Sequence, residues 1–238
     1  MEQKQNIITN DELIPSAHHH AKPMLAEVDS YGSLPVNLGI RDVSCNEMMF
    51  YQYLPIKFPD MYYPVFEDRL HCFWKIIDSS IFDFIGNFGI NKYYNQYIYL
   101  TAKHLYQAPD TSFNRFGYHT DGFLTDDINY IWCDKFPTIF NTSNFYLTLD
   151  DKISMVEMEN QALKSNEFRY IEKSLLRLNQ YNVHKVAKIN FGTMRTFLKI
   201  SFSKDKYDLS GNSHNYLLDY EWKMKNRNDS RNIPQSLI

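Results

Sequence analysis

An imidazole and a carboxylate stand two residues apart in Phe116-Gly117-Tyr118-His119-Thr120-Asp121-Gly122-Phe123. On an extended segment alternate side chains leave by the same face, so His119 and Asp121 point the same way, together with Arg115 and Gly117. A ferrous ion that must also accept dioxygen needs ligands on one side only, and two histidines with one carboxylate supply such a set. The third donor has to come from a distant strand. His184 is the histidine that follows a long insertion and sits inside a β-branched strand, Tyr181-Asn182-Val183-His184-Lys185-Val186-Ala187.

Arg195 comes eleven residues after His184, on the strand beyond the Asn190-Phe191-Gly192 turn. Met194, Thr196, Leu198, Ile200 and Phe202 share one face of that strand, and Arg195, Phe197, Lys199 and Ser201 share the other. The cationic face has two readings, solvent or a site that holds an anion. A guanidinium suits the second role, because it stays charged when buried and grips a carboxylate through two parallel hydrogen bonds.

The order His119-X-Asp121, then His184, then Arg195 resembles the Fe(II)/2-oxoglutarate-dependent dioxygenases, over residues from about 95 to 203. The resemblance implies a double-stranded β-helix core, Fe(II) held by His119, Asp121 and His184, and 2-oxoglutarate as co-substrate with its distal carboxylate on Arg195. It further implies a co-substrate contact from Thr138, in Pro137-Thr138, which reads equally as the start of a strand. Tyr99 or Lys103 on the preceding strand is a further candidate contact, with core or surface placement as the other reading. Because Asp121 supplies the carboxylate ligand, the resemblance implies hydroxylation or desaturation and not halogenation.

The expected fold class is mostly β with flanking helices (α+β), around a jelly-roll or cupin-like core. Residues 1–94 are expected to form an N-terminal arm and helical support, and residues 95–238 the catalytic core, all in one structural domain. Leu70, Phe73, Trp74, Ile77, Ile81, Phe82 and Ile85 recur at three- and four-residue steps and predict a helix that Gly86 or Gly89 ends. Alternation predicts strands over Tyr97–Tyr106, Phe113–Thr120 and Ile128–Cys133, and another extended segment from Pro137 that runs on through Phe145–Leu149. A stretch without Gly or Pro predicts a helical insertion over 154–180. Val183–Ile189 and Met194–Ser203 are expected to pair as a hairpin, and Tyr216–Lys225 to form a short helix.

Hydrophobic residues make up 44% of the 238-residue chain and aromatics 16%, ample for a packed core. A net charge of -3 and a pI near 6.2 leave no basic footprint for a phosphate backbone. Cys45, Cys72 and Cys133 are odd in number and widely spaced, which speaks for buried thiols in a reducing compartment and against a disulfide framework or zinc ribbon. With no apolar run long enough to span a bilayer, a cytoplasmic protein is expected. His18-His19-His20 reads as a solvated loop. The expected substrate is a small polar or anionic metabolite, with dioxygen as oxidant. Oxidation of a nucleobase in DNA or RNA, with Trp132 or Trp222 stacking on the base, is the second expectation. A non-catalytic cupin-like binding module, in which the histidines are structural, is the third.

Overall fold

The computed structural model describes residues 30–109 and 117–227. Nine strands and three α-helices are present among these residues. The strands are β1 (Val36–Ile40), β2 (Met49–Lys57), β3 (Tyr97–Gln107), β4 (Ile128–Cys133), β5 (Ile139–Asn141), β6 (Glu167–Arg169), β7 (Ser174–Leu178), β8 (His184–Lys185) and β9 (Thr193–Ser203). The helices are α1 (Trp74–Phe88), α2 (Ile90–Tyr94) and α3 (Asp151–Gln161). Six strands form one antiparallel sheet in the order β1-β7-β4-β9-β3-β2, and three form a second in the order β6-β5-β8. The protein is thus mostly β with few helices, as the alternating segments predict.

The long alternating strands form the centre of the large sheet. β3 and β9 pair along their whole length, from Tyr97 opposite Ser203 to Gln107 opposite Thr193, and β4 pairs with the other edge of β9. One face of these strands carries Ile98, Leu100 and Ala102, Tyr130 and Trp132, and Leu198, Ile200 and Phe202, all nearly inaccessible to solvent. Helix α1 covers it with Ile76, Ile77 and Phe84, whose spacing keeps them on one side of the helix. Asp83 fastens the helix to the sheet, accepting hydrogen bonds from the Tyr130 hydroxyl and the Arg177 guanidinium at 2.8 Å each. Gly89, with φ +85°, supplies the left-handed residue that ends α1.

Phe84 stacks on Phe202 at 4.2 Å between ring centroids and is fully buried. Phe84→Ala is therefore expected to lower unfolding free energy by about 3–5 kcal/mol in urea titrations followed by circular dichroism. It should leave metal affinity unchanged, because α1 lies on the far side of the sheet from the candidate site.

The opposite face of β3 and β9 is polar, yet it is buried. Thr101, Lys103, Arg195, Lys199 and Ser201 are each 8% exposed or less. The second sheet covers part of this face, with Phe140 of β5 packing in a cluster with Ile131, Leu176 and Leu178, and Phe197 against it. Burying cations without a role for them is costly, so this face marks where function is to be sought.

A second buried cation is structural. Lys57, at the end of β2, donates to the carbonyls of Phe58, Tyr93, Tyr94 and Gln96 at 2.9–3.1 Å and so ties β2 to the end of α2. Burial pushes its pKa down to about 8, with Asp60 opposing the shift. The folded state then holds fewer protons than the unfolded chain between about pH 8 and 10.5, so this group makes stability rise with pH across that window; below 8 the cost of burying its charge is present in full and no longer varies with pH. Between pH 8 and 9.5, Lys57→Met is expected to flatten the rise in urea-unfolding free energy, by up to about 1.4 kcal/mol per pH unit.

Several expectations are corrected. The helix expected over 154–180 ends at Gln161, and Ser174–Leu178 is strand β7 between β1 and β4. Leu175, Leu176 and Leu178 are buried on both faces of the sheet, and such a strand reads as an apolar run without alternation. The hairpin of Val183–Ile189 with Met194–Ser203 does not form: β8 joins the small sheet and β9 the large one. Phe145–Leu149 and Tyr216–Lys225 are irregular, and the latter is held by a bridge between Leu209 and Lys225 and by aromatic contacts. Residues 1–94 contribute more than an arm and a helix, since β1 and β2 are the two edge strands of the large sheet. Pro55 in β2 is tolerated because an edge strand has one unpaired side. The expected strand at Phe113–Thr120 is described only from Gly117 onward, and His18-His19-His20 and Arg115 lie outside the described residues.

Candidate metal centre

His119 and His184 face each other across a single antiparallel bridge, each donating its backbone N–H to the other's carbonyl at 2.9 Å. Residues paired in this way send their side chains to the same side, and the two imidazoles lie 4.6 Å apart between centroids. Asp121 follows His119 by one alternation and returns to that side, with Oδ2 3.7 Å from His184 Nε2. One donor atom from each of the three residues lies within 4.8 Å of the others. Sequence alternation and one long-range bridge thus bring the three predicted ligands together.

The surroundings orient these donors. His119 Nδ1 lies 3.1 Å from the Gly117 carbonyl, and His184 Nδ1 lies 2.8 Å from the Asn182 carbonyl. A carbonyl only accepts, so each Nδ1 carries a proton, which makes each Nε2 the nitrogen that would ligate a metal. Asn182 is itself fixed by bonds to the backbone of Asn179 and Ser33. Glu159 of α3 accepts the Tyr118 N–H at 2.9 Å, and α3 begins at Asp150, whose carboxylate caps the N–H groups of Lys152 and Ile153. Gly122, at φ +73°, turns the chain just after Asp121; a Cβ there would fall 2.7 Å from Thr125 Oγ1.

Asp121 is the anionic donor of the triad, and its neighbours keep it ionised. Burial alone would raise the Asp121 pKa, but Lys199 and the two histidines hold the carboxyl well below its ordinary range. Lys199 donates to Asp121 Oδ1 at 2.6 Å, and that carboxylate in turn outweighs burial and holds the Lys199 pKa above its ordinary value. With Oδ1 taken, Oδ2 is the oxygen left toward the histidines, which favours ligation through one carboxylate atom. Three donors of this kind, two imidazole nitrogens and a carboxylate oxygen, could hold a divalent ion. A metal with ligand distances of about 2.1 Å needs only a modest contraction from the present spacing.

Arg195 is 3% exposed and lies on the same face of β9 as Lys199. Its Nε donates to the Lys135 carbonyl at 2.8 Å and an Nη to the Phe136 carbonyl at 3.1 Å. Among the described residues no carboxylate pairs with it. Lys103, opposite Phe197 on β3, is also buried; burial first, then Arg195 and Lys199, push its pKa down to about 8. The face beside the triad is therefore strongly cationic, which an anionic ligand would relieve.

The remaining candidates divide. Thr138 is nearly buried immediately before β5. Tyr99 is on the polar face, but its hydroxyl donates to the Asp205 carbonyl and accepts the Tyr207 N–H, and its ring stacks on Tyr207 at 4.1 Å. It supports the C-terminal segment. His104 engages Thr196 Oγ1 on the opposite face. Lys199 is the residue beside the triad to which the sequence assigns no role; its signal is a second cation four positions from Arg195 on the same face of the strand.

No protein-family model matches the sequence, and no curated protein matches it. Among the described residues no helix is long and apolar enough to cross a membrane.

Proposed function

We propose that the protein is an Fe(II)- and 2-oxoglutarate-dependent oxygenase that hydroxylates a small molecule, built on a double-stranded β-helix. The observation that carries this reading is the grouping of the His119, Asp121 and His184 donors near a buried arginine on the adjoining sheet that no carboxylate pairs with among the described residues. His119, Asp121 and His184 would hold the metal, which when bound supplies dioxygen activation coupled to decarboxylation of the co-substrate to succinate. Three residues of β9 stand between Arg195 and Lys199, a span of about 13 Å along the strand. A five-carbon dicarboxylate would lie between them, with one end at the metal and the other on Arg195. Lys103 adds positive potential along that path. Lys199 and the backbone carbonyls of Gly117 and Asn182 keep the donors aimed, so that little reorganisation accompanies binding.

Anaerobic addition of Fe(II) and 2-oxoglutarate should give a weak visible charge-transfer band, and aerobic turnover should release succinate. A protein that takes up neither iron nor 2-oxoglutarate would be a binding module whose histidines are structural, and the proposal would fail.

A further inference from the structure

Two cysteines that are far apart in the sequence meet where the connector between β1 and β2 crosses the 3-10 turn Asp68–Phe73 leading into α1. Cys45 Sγ donates to the Glu47 carbonyl at 3.3 Å, and Cys72 Sγ donates to the Arg69 carbonyl at 3.5 Å. Glu47 and Arg69 join the same two segments from the other side. Glu47 Oε2 lies 3.1 Å from Arg69 Nη2, and that nitrogen also donates to the Met48 carbonyl at 3.4 Å. The two thiols interact with each other, and both cysteines pack against the core that α1 covers.

The three cysteines differ in what can reach them. Cys45 and Cys72 are partly exposed, whereas Cys133 is buried in β4. A small oxidant in solution therefore meets the pair and not the third thiol. Within the pair the two sulfurs are unequal. Burial first, and then the charge of an ionised Cys45, raise the pKa of Cys72, so Cys45 is the sulfur that ionises first and attacks. The contacts that now join the two segments are weak, since the Glu47–Arg69 pair stands in solvent and an exposed ion pair adds little. A covalent link at this point would add a constraint that the fold otherwise lacks.

We propose that Cys45 and Cys72 are a modification site, joined in a reversible disulfide by a low-molecular-weight disulfide such as oxidised glutathione, and that the bond fastens the β1–β2 connector to the turn that starts α1. The Cys45 thiolate attacks one glutathione sulfur, and the other leaves as a thiolate. Cys72 then attacks Cys45 Sγ in the mixed disulfide and displaces the second glutathione thiolate. The protein gives up two electrons and two thiol protons, and one oxidised glutathione becomes two reduced ones. The inference is independent of the oxygenase reading, because the pair packs with the core under α1 and the metal centre lies across the sheet.

The test incubates the full chain, without metal, with oxidised glutathione and follows intact mass, peptide maps after alkylation, and thermal unfolding. The expected product has lost two hydrogen atoms and yields a peptide pair linked through Cys45 and Cys72. Cys133 should remain a thiol that alkylates only after unfolding. The oxidised form should melt about 5 °C or more above the reduced one, because a crosslink restricts the unfolded chain, and dithiothreitol should reverse both changes. In Cys45→Ser or Cys72→Ser the remaining thiol should stop at a glutathione adduct, with no rise in melting temperature. The parent protein carries the test by itself should either variant fail to fold. Glutathione adducts on the parent without a linked peptide pair, links between molecules, or a melting temperature that does not rise on oxidation would each overturn the proposal.

Discussion

His184→Ala is expected to lower Fe(II) affinity by at least about 100-fold and to abolish the charge-transfer band with 2-oxoglutarate, while the protein remains folded. The substitution deletes one of three donors, and the two that remain hold a ferrous ion weakly. Loss of a supporting group around a ligand alone typically costs 10–100-fold in metal affinity, so loss of the ligand itself should cost more. The fold should tolerate it, because the bridge between residues 119 and 184 is made by backbone atoms, which alanine keeps. Loss of the Phe140 contact at 5.7 Å is the main packing penalty. Equilibrium dialysis with Fe(II) or Mn(II), with circular dichroism as the folding check, measures the effect. A variant that binds metal like the parent would remove His184 from the ligand set.

Arg195→Met has the second large effect, and it acts on a different ligand. Truncating one partner of a buried charge pair typically costs about 2–5 kcal/mol, so the 2-oxoglutarate KM or Kd should rise between about 30-fold and several thousand-fold. Methionine retains much of the length and the contact with Phe197, which lies under the guanidinium at 5.6 Å, and it leaves the carbonyls of Lys135 and Phe136 to water or to rearranged partners. Iron affinity in the absence of co-substrate should stay within a fewfold of the parent, because Arg195 contacts none of the three ligands. That split between iron and 2-oxoglutarate separates an anion-binding arginine from one that holds up the sheet. A structural role would move stability and both affinities together.

The same logic explains what the sequence could disclose. The candidate ligands were legible because alternation in a short extended segment fixes which side His119 and Asp121 face, and because His184 lies among β-branched residues between Val183 and Val186. The centre of the fold was legible for a similar reason: β3 and β9 carry long runs whose alternation decides between a face on α1 and a face on the site. Strand β7 was not, because Leu175, Leu176 and Leu178 are buried on both sides and lose the period that identifies a half-buried strand. The separation of β8 from β9 into different sheets was hidden as well. A turn such as Asn190-Phe191-Gly192 specifies a change of direction but not which partner each strand takes. Lys199 became visible only when Asp121 was brought to it, an ion pair between residues 78 positions apart. The irregular segment after β9 is held by aromatic packing around Trp222, and no periodicity encodes that.

The most direct test of the central claim is an anomalous-difference map from crystals grown with Mn(II) or Fe(II). A single peak about 2–2.3 Å from His119 Nε2, His184 Nε2 and Asp121 Oδ2 is the predicted result. A metal bound elsewhere, or none at this triad at saturating concentration, would contradict it.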